Sequence, residues 1–149
     1  MGSRLVNRIR DVILAELPET EAIYLFGSTV AAEGAPRSPG GRSPGEPGDV
    51  DIAVLLPPIQ AKEVGSLQYS DLRFRLEENL GKTVDLINLR SATTVFQKEV
   101  IATGQPILVR DRGALEEFEM LTLSFYQKLN EERQDILKEV ARTGRAYQV

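Results

Sequence analysis

Gly48-Asp49-Val50-Asp51-Ile52-Ala53-Val54-Leu55 reads as a β-strand. Its period of two puts Asp49 and Asp51 on one face and Val50, Ile52 and Val54 on the other. The strand is predicted over about 49–56 and stops at Pro57-Pro58, whose fixed φ and missing amide hydrogens end a ladder. Two carboxylates side by side need a counter-charge. Magnesium supplies one, because this hard cation takes one or two carboxylates together with substrate phosphates. Alone, an Asp-x-Asp on a strand can equally be a solvated face, so its meaning depends on its neighbours.

Upstream, Ala22-Ile23-Tyr24-Leu25-Phe26 is a short, nearly all-apolar strand with Tyr24 as a core residue, and Gly27-Ser28 after it reads as a turn opening a helix. Downstream, Lys82–Leu89 reads as a third strand with Asp85 opposite in facing to Val84, Leu86 and Asn88. Residues 4–17 carry Leu5, Ile9, Val12, Ile13 and Leu17 at helical spacing. A second helix is predicted over Ser66–Leu80, with Leu67, Leu72, Leu76 and Leu80 as its stripe and Gly81 as its C-cap. A third, capped by Ser91, carries Val95, Phe96 and Val100 and ends near Gly104; Pro106–Arg110 then adds an edge strand.

Two segments differ in character. Residues 33–48 hold four prolines and five glycines, sustain neither helix nor strand, and read as a flexible insertion that carries Arg37 and Arg42. From Gly113 to Gly144 there is no proline, and Leu115, Phe118, Leu121, Phe125, Leu129, Ile136 and Val140 keep helical spacing. Such a helix exceeds what a small domain covers, so it is expected to project or to break near Asn130-Glu131 and to offer its stripe to a partner; two shorter helices folded back on the sheet are the alternative. The fold class is therefore α/β (α+β): a small mixed sheet of three to four strands flanked by helices. Residues 1–112 form the expected core and 113–149 a C-terminal helical extension.

Composition narrows the chemistry. The 149 residues are 42% hydrophobic, enough for about one domain. Cysteine and histidine are both absent, which excludes disulfides, thiolate or imidazole zinc sites and Ser-His-Asp catalysis. Phosphate chemistry here must rest on carboxylates, bound cations and Lys or Arg. A net charge of −4 argues against broad nucleic-acid binding. Neither a signal-type apolar core nor a membrane span is apparent, and the cytoplasm is the expected location.

Taken together, Gly27, Ser28, Asp49, Asp51 and Asp85 suit metal-dependent nucleotidyl transfer. Glycine lets backbone approach a phosphate, and helix-start amides with the Ser28 hydroxyl can hold it. In-line attack on an α-phosphorus uses one cation at the attacking hydroxyl and another at the leaving pyrophosphate, about 3.5–4 Å apart. Asp49 and Asp51 are assigned to both magnesium ions, and Asp85 to the nucleophile-side ion and to the hydroxyl proton. Lys82, Arg73, Arg75 and Arg90 read as surface charges.

These motifs, with the Phe96–Pro106 region and the Arg110-Asp111-Arg112 turn before the long helix, resemble the minimal nucleotidyltransferase branch of the DNA polymerase β-like superfamily. The spacing between Gly-Ser and Asp-x-Asp departs from the family's by its length, residues 29–48. The resemblance implies an antitoxin that transfers AMP from ATP to a tyrosine of a HEPN-domain ribonuclease toxin and assembles with it as a hetero-oligomer. A stoichiometric antitoxin that only masks its toxin, and a stand-alone adenylyltransferase acting on a small hydroxyl compound, are the alternatives.

Overall fold

The computed structural model describes residues 3–27 and 50–143. Helix α1 (Ser3–Glu16) buries Ile9 and Ile13, one turn apart, and Leu17 just past its end. Strands β1 (Ala22–Phe26), β2 (Val50–Leu55), β3 (Val84–Asn88) and β4 (Gln105–Val109) form one sheet in the order β3-β2-β1-β4. β1 is antiparallel to β2 and β4, whereas β2 and β3 are parallel. That parallel pair needs a long crossover. It is made by α2 (Pro58–Glu63) and α3 (Ser66–Leu80), the latter ending at Gly81 in the left-handed conformation with φ 66°.

Strand alternation sorts the interior into two cores. Ile23, Leu25, Val50, Ile52, Val54 and Val84 face α1 and the buried Leu72 and Leu76 of α3. Ala22, Tyr24, Ala53 and Leu55 face the other way, under Val100 of α4 (Thr94–Thr103) and Leu115 and Phe118 of α5 (Arg112–Thr143). The mixed four-stranded sheet flanked by helices is the architecture expected above.

Four local expectations change. Pro58 both ends the second strand and opens α2, a short helix absent from the sequence reading; proline suits a first helical turn, where its missing N–H costs nothing. Leu67 is 86% exposed, so the α3 stripe rests on Leu72 and Leu76, with Leu80 partly buried. Five residues before Leu72, it sits about 140° around the helix from that position. The cap of α4 is Thr93, whose Oγ1 accepts from Phe96 N at 3.2 Å; Ser91 instead closes a 3₁₀ turn over Leu89–Ser91. Finally, α5 passes through Asn130-Glu131 unbroken for 32 residues, ~48 Å. Asparagine costs an internal helical position under about 0.7 kcal/mol, too little to end a helix of good formers. Among the described residues no helix is long and apolar enough to cross a membrane.

Candidate active site

One rung of the sheet lies at the margin of the second core. Phe26 pairs with Asp51 across β1 and β2, and Asp51 pairs with Asp85 across β2 and β3. Residues in register project to the same face of a sheet, on strands about 4.8 Å apart. The carboxylates of Asp51 and Asp85 therefore stand side by side, on the face that α4 and α5 cover farther along the strands. Asp51 is half-buried and Asp85 exposed, so helical cover thins along this rung from Phe26, which packs on the second core, to Asp85.

Gly27 follows Phe26 and turns with φ +65°, a conformation that side chains with a Cβ rarely adopt. Its second constraint is space. A Cβ placed there would lie 2.5 Å from Asp51 Oδ2 and 3.2 Å from the carboxyl carbon. The turn is thus pressed against the carboxylate. Ser28 and Asp49, the other two candidate site residues, lie outside the described residues, as do the 33–48 insertion, Arg37 and Arg42.

Among the described residues no group of three or more metal-capable side chains gathers. Asp51 and Asp85 are a pair of hard oxygen donors on one face, and the Gly27 turn, bare of any side chain, closes on the first of them. That donor set fits magnesium, which prefers oxygen ligands and keeps positions for substrate phosphates.

The basic residues divide. Arg73 and Lys82 are exposed, and Arg75 makes a surface pair with Glu16 at 3.1 Å and Asp71 at 3.3 Å. Arg90 is no surface charge. Its Nη2 meets Glu21 Oε1 at 2.8 Å, its Nε donates to the Leu56 carbonyl, and its guanidinium lies 5.5 Å from the Phe118 ring centroid. These partners hold it at the end of the sheet opposite the carboxylates, where β2 ends and β1 begins. A cleft of about 530 Å³ opens at that same end, lined among others by Lys62, Arg90, Phe118, Leu121 and Phe125.

Sequence reasoning missed an aromatic pair beside the rung. The Phe26 and Phe96 rings meet edge to face, with centroids 5.5 Å apart and planes at 89°. Strand alternation from Tyr24 already assigns Phe26 to the carboxylate face. Phe96 has no such signal, because its place depends on how α4 docks.

A glycine turn closing on one of two adjacent aspartates, across the short strands of a mixed sheet, is what nucleotidyl-transfer chemistry would use. The chain belongs to the family described as Polymerase beta, Nucleotidyltransferase, whose profile matches residues 7–113. It is 32% identical over 134 residues to the protein adenylyltransferase MntA of Shewanella oneidensis, spanning 90% of this chain and 86% of that protein. A solved toxin–antitoxin structure with AMP-PNP matches with a TM-score of 0.69 at 32% identity, over 91% of this chain and 98% of that one. A complex of tri-AMPylated Shewanella oneidensis HEPN toxin with MNT antitoxin matches with a TM-score of 0.69 at 30% identity, over 95% and 99%. The family resemblance carried by Gly27-Ser28, Asp49-Val50-Asp51 and Val84-Asp85-Leu86 is thereby borne out, and with it the fold.

Proposed function

We propose that this nucleotidyltransferase is a protein-modifying antitoxin: it transfers AMP from ATP to a tyrosine hydroxyl of a cognate HEPN ribonuclease toxin and so silences it. The observation that carries the reading is the shared rung of Asp51 and Asp85 against the Gly27 turn, in a chain similar throughout to an adenylyltransferase of such a system.

In this reaction the tyrosine oxygen attacks the α-phosphorus of ATP, a new P–O bond forms, the bond to the β-phosphate bridging oxygen breaks, and pyrophosphate leaves. Gly27 and Ser28 hold the phosphates, with glycine allowing the backbone to come close. Asp49, Asp51 and Asp85 would hold two magnesium ions, which supply charge neutralisation at the phosphates and a more acidic acceptor hydroxyl. Asp85, more open than Asp51, takes the hydroxyl proton; with histidine absent from the chain, a carboxylate is the available base.

The partner surface in this reading is the 113–149 extension. Its buried positions Leu115, Phe118 and Thr122 are continued along the helix by Phe125, Leu129 and Ile136, which are 58%, 46% and 50% exposed. An apolar stripe that outruns its own core suits a helical toxin.

The test is intact mass spectrometry of the co-expressed toxin after incubation with ATP and magnesium. A gain of one or more adenylyl units, abolished in Asp51→Ala plus Asp85→Ala, supports transfer. Toxin inhibition that survives those substitutions without any mass gain would favour masking, and modification of small hydroxyl compounds with no co-purifying protein would favour a stand-alone enzyme.

A further inference from the structure

We propose that Phe96, braced edge-on by Phe26, is the stacking platform for the nucleobase of the bound nucleotide; the inference rests on the nucleotidyl-transfer reading and deepens it. Three observations lead there. First, Phe26 shares the rung of the carboxylates, in the order Phe26, Asp51, Asp85 across β1, β2 and β3. Second, Phe26 holds Phe96 perpendicular to itself at 5.5 Å, an arrangement that fixes the second ring rather than covering it. Third, Phe96 keeps 36% of its surface exposed, although it lies in the first turn of a helix whose Val100 is buried.

An aromatic ring that is oriented by a neighbour yet open to solvent suits a planar partner. Direction along the rung decides which one. Asp85 stands at the far end from the aromatic pair and serves the acceptor hydroxyl, while the Gly27 turn directly follows Phe26 and serves the phosphates of the nucleotide. The aromatic pair therefore lies on the nucleotide's side of Asp51, not the acceptor's. Its distance also suits. Phe26 is one cross-strand neighbour from Asp51, about 5 Å, and Phe96 is one ring contact beyond it, a reach that the ribose of a nucleotide spans between α-phosphate and base. Stacking is tolerant of base identity, since every base offers a π-face. Adenine preference would then come from edge contacts elsewhere.

Steady-state transfer to the toxin, measured with Phe96→Ala, Phe96→Leu and Phe96→Tyr, tests this. With stacking lost, the alanine and leucine variants should raise KM for ATP by roughly 5- to 100-fold with a much smaller change in kcat, and the tyrosine variant should restore it. Inorganic tripolyphosphate, which has phosphates but no base, should inhibit all four proteins equally. A purely structural role for Phe96 would instead weaken tripolyphosphate inhibition together with ATP binding, and would overturn the inference. So would a rise confined to the KM for the toxin, which would put the ring on the acceptor's side. An unchanged KM for ATP in an active leucine variant overturns it as well and leaves the transfer reading intact, whereas absence of transfer by the wild-type protein defeats that reading itself.

Discussion

Gly27 meets two demands with one residue, a positive φ and the close approach of Asp51 Oδ2. Gly27→Ala is expected to cost about 1–2 kcal/mol through the left-handed backbone alone, and to move the Asp51 carboxylate as well. Transfer activity should therefore fall more steeply than the melting temperature, a split that thermal unfolding and pyrophosphate release measure side by side. Asp85→Asn keeps size and removes charge at an exposed position. Its stability should stay near wild type while transfer drops by on the order of 10²–10³-fold or more, as for the loss of a group that stabilises transition-state charge. Tyr24 is a different kind of polar residue. Burial, and then its hydrogen bond to Glu119 and the charge there, push its phenol above the ordinary range, and burial alone does the same to Tyr69. Both are thus neutral in the fold and easier to ionise once unfolded. Their contribution to stability is complete below the ordinary tyrosine value of about 10 and is lost as pH rises above it. Tyr24→Phe should cost about 1.5–3 kcal/mol at pH 7, and urea unfolding at pH 7 and pH 11 should show a smaller alkaline loss in the variant than in the wild type.

Elements were legible wherever one local rule governed them. The alternation in 50–55 and 84–88 gave the strands their faces, and Gly81 closed α3 at the residue its conformation requires. Legibility failed where two local signals competed. Pro57-Pro58 satisfies both a strand end and a helix start, and Ser91 and Thr93 both offer a hydroxyl ahead of α4. The choice between such options rests on tertiary packing, which places Leu89 in the core and draws Ser91 into a 3₁₀ turn. The same limit applies to the site. The carboxylates and Gly27 announce themselves by type and spacing, but Phe96 reaches Phe26 only through the docking of α4, and Arg90 is claimed by Glu21, Leu56 and Phe118, which are distant in sequence. Thr93→Ala removes the observed cap and should lower stability by about 1 kcal/mol, seen as a reduced urea midpoint, whereas Ser91→Ala should leave the α4 cap untouched.

At the scale of the whole molecule, the carboxylate rung and the Arg90 brace sit at opposite ends of the same short strands, and α5 leads away from the body that both belong to. Phe125→Glu with Leu129→Glu places charge on the stripe beyond the core. Folding should be preserved, since both positions are exposed, while toxin co-purification on size-exclusion chromatography is lost. The pairing of β2 with β3 carries one more consequence. A slip of a single residue along that ladder would turn one aspartate inward among Ile52, Val54 and the α3 leucines, where an unpaired charge is prohibitively expensive. Mispaired chains are therefore rejected by the same two aspartates that are assigned to the proposed site, so a correctly assembled sheet and the side-by-side carboxylates are acquired in a single event.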